Sequence, residues 1–209
     1  MKKLLFILPA ILLILASCSS TQIISSWKAD DAVRRPFKKI MVLGILGQKD
    51  RVLRQNLEDQ LVSNLNNQGY SAVSALKEYG PKAFEKVKEE DIADKLKASG
   101  YDAVITTVLL DKSKDDSYQQ GNVSYQPVGI RRFGRYYTTI YDRVYEPGYY
   151  TSSTNYFLES NLYDIASGNL VYSAQGKAVD PSSLATLGKD YGKGLVKDLK
   201  TKNVLSVKN

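Results

Sequence analysis

Hydrophobic and polar positions along the first half of the chain predict a β-α-β unit. Residues 39–46 (KIMVLGIL) form a continuous apolar run between polar neighbours, as in a strand that is buried on both faces. After them, apolar residues recur at spacings of three and four, which predicts an amphipathic helix capped by Asp50. Its apolar stripe consists of Val52, Leu53, Leu57, Leu61, Val62 and Leu65. Gly69 ends the helix, and residues 70–75 complete the unit with a right-handed crossover.

A second helix and a second apolar strand follow this unit. Residues 89–98 predict a helix with Ile92, Ala93 and Leu96 facing inward, and Gly100 as its end. Residues 101–110 (YDAVITTVLL) predict a buried strand, so the pattern as a whole indicates a layered α/β domain. The polar residues 111–135 then predict a long loop, a feature that is usually either functional or disordered.

The next pattern predicts an antiparallel meander rich in tyrosine. Residues 136–145 and 149–164 favour two strands joined by a turn at Pro147-Gly148, with Tyr145 opposite Tyr150. Alternation along these strands would place six residues on one face, namely Tyr137, Tyr141, Tyr145, Tyr150, Tyr156 and Leu158. A second turn at residues 166–169 leads into a strand at residues 170–175.

A C-terminal helix completes the predicted fold. Asp180-Pro181 is typical of a helix start, with a cap followed by proline at the first helical position. The apolar stripe expected to pack on the sheet consists of Leu184, Leu187, Tyr191, Leu195 and Leu199. Three glycines (Gly188, Gly192 and Gly194) lower helix propensity by about 1 kcal/mol each and would allow a close approach to the sheet. The predicted class is α/β (α+β), with a mixed sheet, a β-α-β-α-β start and this helix packed on the sheet.

The N-terminus has the pattern of a bacterial lipoprotein signal. Two lysines precede an apolar stretch from Leu4 to Leu15, which is shorter than the roughly 20 residues of a membrane-spanning helix. Leu15-Ala16-Ser17-Cys18 then matches the lipobox, with cleavage between Ser17 and Cys18. Cys18 is the only cysteine of the chain, and a lipid attached through its sulfur explains a single cysteine in a secreted protein. An ordinary secretory signal is the alternative.

This pattern predicts a lipid-anchored envelope protein in three parts. Residues 1–17 are a removable signal peptide, residues 18–37 a lipidated N-terminus and tether, and residues 38–205 one domain with a tyrosine-rich excursion at 111–157. Ile23 and Trp27 allow an alternative in which part of the tether docks on the domain as an edge strand. Two or three acyl chains, such as palmitate, make an anchor effectively permanent. Ser19 after the cysteine favours the outer membrane, with the domain facing the periplasm.

Composition excludes several kinds of chemistry. The chain has no histidine, which removes histidine-based triads, zinc sites of the Cys/His kind and haem ligation by histidine. Gly44-Ile45-Leu46-Gly47 lacks both the dinucleotide and the P-loop pattern, so we expect no cofactor. Loss of the two signal-peptide lysines lowers the formal charge from +7 to +5, which suits an anionic lipid or polymer and is too small for nucleic acid.

The order of elements resembles a group of small bacterial envelope lipoproteins. The resemblance rests on the lipobox, Trp27, the strand KIMVLGIL, the helix RVLRQNLEDQLVSNL and the late hairpin LYDIASGNLVYSAQG. The domain is similar to the N-terminal domain of the translocation protein TolB, and to curli-secretion and penicillin-binding-protein activator lipoproteins. This resemblance implies a domain that binds other envelope proteins and has no catalytic residues. The tyrosine-rich excursion departs from the pattern of the group.

The main functional hypothesis is a non-catalytic binding or assembly module. Tyrosine and arginine are enriched at interface hot spots, and tyrosine rings also stack on sugars, so envelope proteins, peptidoglycan or polysaccharide are the expected partners. The candidate surface consists of Arg131, Arg132, Arg135, Tyr136, Tyr137, Tyr141, Tyr145, Tyr149 and Tyr150. A solvated meander with half-buried tyrosines is the structural alternative.

Two other functions remain open from the sequence. A carboxylate-based, glycan-acting enzyme would need two acids at a set separation, and Asp115-Asp116 or Glu89-Glu90-Asp91 would supply them. Such acids more often solubilise a loop or stabilise a helix start. A purely structural lipoprotein whose domain only forms oligomers is the other possibility, and the sequence leaves the oligomeric state undetermined.

Overall fold

The computed structural model describes residues 21–30, 37–82, 84, 89–120, 122–133 and 136–205. They divide into two compact units. The core unit comprises the described residues up to Lys112 and from Asn155 onward, and the tyrosine-rich unit comprises those between Ser113 and Thr154. This is the mixed α/β architecture that the sequence predicts, so the fold class is confirmed.

Eight strands and four α-helices make up the described residues. Their order is β1 (Thr21–Lys28), β2 (Lys39–Ile45), a 3₁₀ turn (Gln48–Asp50), α1 (Arg51–Asn66), β3 (Ser71–Ser74), α2 (Ala75–Tyr79), α3 (Glu89–Ala98), β4 (Ala103–Gln119), β5 (Asn122–Phe133), β6 (Tyr136–Glu146), β7 (Tyr149–Asp164), β8 (Leu170–Val179) and α4 (Leu184–Thr201).

Six strands form one mixed sheet in the order β1-β8-β7-β4-β2-β3. The centre of the predicted β-α-β unit is confirmed, because Ile40 in β2 pairs in parallel with Ala72 in β3 and with Ala103 in β4. Strands β7 and β8, and β8 and β1, pair antiparallel. The sheet is therefore parallel on one side and antiparallel on the other.

The main core lies between one sheet face and helices α1 and α4. Leu53, Leu57, Leu61 and Leu65 are the buried stripe of α1, whereas Val52 is exposed. Leu187, Tyr191, Leu195 and Leu199 form the corresponding stripe of α4. On the second face, α3 buries Leu96 against Met41 and Leu43 in a smaller cluster.

Two predicted contacts of α4 differ in the structure. A Cβ atom at Gly188 would lie 2.9 Å from the Asn56 carbonyl oxygen, so this glycine permits close approach to α1, not to the sheet. The close approach to the sheet depends on Gly176 in β8, where a Cβ atom would lie 2.6 Å from the Tyr191 ring. The helix also begins later than predicted, because the side chain of Ser183 accepts the cap hydrogen bond from the Thr186 amide at 3.0 Å. Asp180, three residues earlier, has a φ of 45°.

The beginning of the domain also differs from the predicted boundary at residue 38. Thr21–Lys28 form β1, an edge strand that pairs with β8 from Thr21–Ala178 to Lys28–Tyr172. The edge-strand alternative is therefore correct for these residues. The tether expected over residues 18–37 is replaced by a strand from Thr21, because Ile23 packs against the main core.

The predicted loop at residues 111–135 is wrong. The two strands predicted at residues 136–145 and 149–164 are present as β6 and β7, but their predicted pairing is wrong. Strand β4 continues to Gln119, and β5 occupies Asn122–Phe133. Strand β6 pairs with β5 in a separate antiparallel ribbon, so Tyr145 lies opposite Val123, and Tyr141 opposite Pro127. The partners of these strands depend on long-range pairing, which local alternation along the sequence does not reveal.

Candidate functional site

The tyrosine-rich unit presents a cluster of exposed aromatic rings at the junction of β4 and β7. Tyr118, Tyr149 and Tyr150 are 55%, 62% and 78% exposed. The rings of Tyr118 and Tyr150 lie with their centroids 4.9 Å apart at an interplanar angle of 51°. Thr151 Oγ1 donates to the Ser117 carbonyl oxygen at 3.2 Å and links the two strand segments that carry these tyrosines. We call Tyr118, Tyr149 and Tyr150 the tyrosine cluster.

Tyr149 and Tyr150 belong to the surface predicted from sequence, whereas Tyr118 does not. Tyr118 lies within residues 111–135, which the sequence predicts to be a loop. Its proximity to Tyr150 follows from the extension of β4 to Gln119, a long-range pairing that local patterns do not reveal. No aromatic pattern marks Tyr118 as part of a surface, because it is the only aromatic residue between positions 111 and 120.

The ribbon of β5 and β6 divides the remaining predicted residues between its two faces. Positions 137, 141 and 145 alternate along β6 and share one face, and the register places position 132 opposite position 137. Positions 131 and 136 belong to the other face, because position 131 lies opposite Thr138. Arg135 lies outside the described residues. The binding role of these residues stays a prediction.

The acids considered for glycan hydrolysis have no common enclosed site among the described residues. Asp115 and Asp116 are exposed and occupy consecutive positions of β4, which belong to opposite faces of a strand. Asp91 is exposed on α3, and the side chains of Glu89 and Glu90 lie outside the described part of the chain. Among the described residues, no cluster of three or more acidic side chains has the arrangement of a metal site.

A cleft with four charged lining residues lies in the core unit, where β2 ends beside β4. It has a volume of about 590 Å³, and its charged lining residues are Lys49, Asp50, Asp111 and Lys112. Carboxyl ends of parallel strands are the usual ligand-binding edge of α/β sheets. Nearby, the Gly44 amide is not free to bind a phosphate, because it donates to Glu58 Oε1 at 2.9 Å. Two positive and two negative side chains also give this cleft no preference for one sign of charge.

Glu58 is a buried carboxylate whose hydrogen bonds are structural. Besides the Gly44 amide, its Oε1 atom accepts from Arg54 Nε at 3.0 Å. Its Oε2 atom accepts from Ser74 Oγ at 2.5 Å and from the Leu76 amide at 2.8 Å. Four donors from β2, α1, β3 and α2 occupy this carboxylate, so it is a structural junction and not a free acid.

Buried tyrosines also serve the fold. Tyr191 and Ser160 hydroxyls lie 2.8 Å apart, and Ser160 lies 2.8 Å from Thr107 Oγ1, which links α4 to β7 and β4. Burial raises the pKa of Tyr191 above its usual value of 10.0. Burial, together with the bond that Tyr172 donates to Asp198 Oδ2 at 2.6 Å, raises the pKa of Tyr172 likewise. Both phenols are therefore neutral at physiological pH, and their hydroxyls make structural hydrogen bonds.

Comparison with known proteins finds similar solved structures, but no matching family model or curated sequence. No protein-family model matches the chain, and no curated protein sequence matches it. The PelC dodecamer from Paraburkholderia phytofirmans is 12% identical, with a TM-score of 0.48 over 90% of this chain and 99% of that chain. The lipoprotein GNA1162 from Neisseria meningitidis is 15% identical, with a TM-score of 0.41 over 78% of this chain and 99% of that one.

These similarities are too distant to assign a function. The resemblance to the TolB domain predicted from sequence stays a prediction. Within the described residues, no helix combines the length and the apolar character that crossing a membrane requires.

Proposed function

We propose that this chain is an envelope lipoprotein, anchored through Cys18, whose domain is a non-catalytic binding or assembly module. The observation that carries the binding role is the tyrosine cluster, in which three exposed phenol rings lie within one unit and two are in contact. Large exposed aromatic rings with polar tips suit a protein partner or the ring faces of a glycan. The partner classes are envelope proteins, peptidoglycan and polysaccharide.

The buried acid and phenols support a role without catalysis. Glu58, Tyr172 and Tyr191 each have hydrogen-bond partners within the core unit, where they connect elements of the fold. Catalytic carboxylates of glycan hydrolases occur instead as a pair that faces the substrate at a set separation. The exposed Asp115 and Asp116 occupy opposite faces of their strand, which does not match this requirement.

Binding is tested with the mature chain from Cys18, which retains every described residue. Immobilised wild type is incubated with isolated peptidoglycan, with surface polysaccharide and with solubilised envelope proteins. The test variant carries Tyr118→Ser, Tyr149→Ser and Tyr150→Ser, and we expect its binding to fall by about tenfold or more, as for hot-spot residues. The matched control replaces three exposed aliphatic residues of the core unit, Ile24, Ile45 and Val52, by serine.

Equal binding by the wild type and the tyrosine variant would show that the tyrosine cluster is not the site. A third variant, with Arg131, Arg132 and Arg135 changed to alanine, tests the basic residues predicted from sequence. Release of reducing sugar ends from peptidoglycan that disappears in the Asp115→Asn/Asp116→Asn variant would instead establish the enzymatic alternative. Oligomers without any bound partner would favour the purely structural role.

The lipid anchor is tested separately by growth in radiolabelled palmitate. The wild-type chain is expected to take up label and to fractionate with the membranes. Cys18→Ser removes the acceptor sulfur, so the variant should stay unlabelled. A wild type that is unlabelled and free of the membranes would contradict the anchor.

A further inference from the structure

The position of β1 fixes where a lipid at Cys18 would join the folded domain. Thr21 is the first residue of β1 and follows Cys18 by three positions. Even fully extended, three residues span at most about 10 Å. A lipid at Cys18 therefore holds the N-terminal end of β1 close to the membrane surface.

Helix α4 runs beside this end of β1. A Cβ atom at Gly194 would lie 3.6 Å from Ile23 Cγ1, two residues after Thr21. At the other end of the strand, Lys28 Nζ donates to the Lys202 carbonyl oxygen at 3.2 Å. The strand and the helix thus run side by side, and the anchor lies nearest to the middle turns of α4.

The outer face of α4 carries a stripe of three exposed lysines at four-residue spacing. Lys189, Lys193 and Lys197 are exposed, whereas Leu187, Tyr191 and Leu195 occupy the opposite, buried face. With a rise of 1.5 Å per residue, the stripe is about 12 Å long. The helix also carries two acids: Asp190 is half-buried beside the stripe, three residues before Lys193, and Asp198 accepts from Tyr172. We call these three residues the lysine stripe.

The side chains of α1 that lie near the lysine stripe do not neutralise its charge. Gln60 and Asn64 of α1, which lie on the same side of the helical layer, are uncharged, and the Asn64 amide lies next to Gly192. Lys200 adds a fourth positive group at the end of the helix, where its Nζ donates to Gln68 Oε1 at 2.6 Å. Neither ion pair found among the described residues involves the stripe.

We infer that the lysine stripe docks on an anionic lipid surface beside the Cys18 anchor and so sets the orientation of the domain on its membrane. This inference rests on the proposed lipid anchor, which brings the stripe within reach of lipid headgroups. Basic residues at such a surface are each attracted to anionic lipids, and the attraction fades within a Debye length. The anchor keeps the protein at the membrane, and the stripe determines which side faces it.

Vesicle co-sedimentation of the mature, non-lipidated chain tests the stripe without the anchor. Vesicles contain phosphatidylcholine alone or a mixture with phosphatidylglycerol, at low ionic strength. The chain is expected to bind the mixed vesicles and to dissociate as salt is added. The variant Lys189→Gln/Lys193→Gln/Lys197→Gln should bind the mixed vesicles about tenfold more weakly or worse.

The matched control removes the same charge from other exposed lysines, with Lys49→Gln/Lys82→Gln/Lys97→Gln. If this control binds the mixed vesicles almost as well as the wild type, the result supports the lysine stripe as the membrane-binding site. An equal loss in both triple variants would show that only net charge matters, and unchanged binding by the stripe variant would also overturn the inference. Binding to an acidic polysaccharide such as alginate, but not to mixed vesicles, would overturn the membrane as the partner.

Lysine acetylation of the native protein in intact membranes tests the orientation. Lys189, Lys193 and Lys197 should react more slowly in membranes than in detergent, while Lys49, Lys82 and Lys97 should react equally in both. Equal reactivity of the stripe in both states would overturn the inference. A failure of this inference can be told apart from a failure of the proposed anchor, because palmitate labelling reports on Cys18 alone.

Discussion

At the residue scale, Glu58 connects four elements of the core unit through one buried carboxylate. The residue is only 1% exposed, and its two oxygens accept from two backbone amides, a hydroxyl and a guanidinium. A buried charge is tolerated only when donors surround it. In the sequence, Glu58 looks like any polar residue of the helix. Its role becomes evident only in the structure, because its donors come from four elements that are separate along the chain.

Replacing this carboxylate by an amide should destabilise the fold strongly. Glu58→Gln keeps the size but turns one acceptor oxygen into a donor that faces other donors, which we expect to cost about 3 kcal/mol of unfolding free energy. Urea denaturation monitors the change. The control Asp59→Asn removes the partly exposed ion pair with Lys77, which should cost under about 1 kcal/mol. Similar losses in both variants would contradict the structural role of Glu58.

Buried tyrosines should make the fold sensitive to alkaline pH. Because burial raises the pKa of Tyr191 in the folded state, the unfolded chain releases that proton first, near pH 10. Stability is then complete below this pH, and it falls above it by up to about 1.4 kcal/mol per pH unit for one such group. Urea denaturation across the alkaline range measures the slope.

The variant Tyr191→Phe identifies the group responsible. It should be less stable than the wild type at neutral pH, by about 1 kcal/mol, because Ser160 loses a partner. Its stability should also decline less steeply above pH 10. The exposed Tyr118→Phe serves as the control and should retain the wild-type slope. A slope unchanged by Tyr191→Phe would show that another group titrates.

At the element scale, apolar periodicity predicts the helices and buried strands of the core unit well. Apart from the exposed Val52, the stripe of α1, the bounds of α3 and the buried stripe of α4 agree with the structure, because each helix has one face that packs against the sheet. Local chemistry predicts the ends less well. Asp180 looks like the cap of α4, yet Ser183 makes the cap bond. Which residue caps α4 depends on the backbone conformation of the residues between β8 and the helix.

Two glycines of α4 should respond in opposite ways to alanine. Gly188→Ala gains helix propensity, but its Cβ would lie 2.9 Å from a backbone atom of α1, so we expect a net loss of about 1–3 kcal/mol. Gly194→Ala meets only a side-chain atom at 3.6 Å and should gain about 0.5–1 kcal/mol. Thermal or urea denaturation of the two variants checks both signs. Stabilisation by Gly188→Ala would contradict close packing of the two helices.

At the scale of the whole molecule, the described residues form a core unit and a tyrosine-rich unit, which contains the end of β4, the strands β5 and β6, and the start of β7. Both ends of the tyrosine-rich unit belong to neighbouring strands of the core sheet, and Lys112 Nζ lies 5.3 Å from the centroid of the Tyr156 ring. Thr107 and Ser160 also face each other across these strands. The core unit therefore has its own sheet, helices and hydrophobic cluster without the tyrosine-rich unit.

Removal of the tyrosine-rich unit should leave the core unit folded. Replacing Ser113–Thr154 by an Asn-Gly turn would join β4 and β7 as a hairpin, and a shorter connection lowers the entropy cost of closure. We expect the unfolding free energy of the core to change by less than about 2 kcal/mol, while partner binding is lost. Circular dichroism and urea denaturation measure the first effect. An unfolded or aggregated product would show that the two units depend on each other.

The sequence by itself determined the α/β class, the buried strands and the amphipathic helices, and it predicts lipid attachment at Cys18. These features depend on local periodicity or on a short contiguous motif. Only the tertiary structure decided that β5 pairs with β6, that Tyr118 meets Tyr150, and that α4 packs on α1 through Gly188. Each of these contacts joins residues that are distant along the chain, and several registers or neighbours are compatible with the same local pattern.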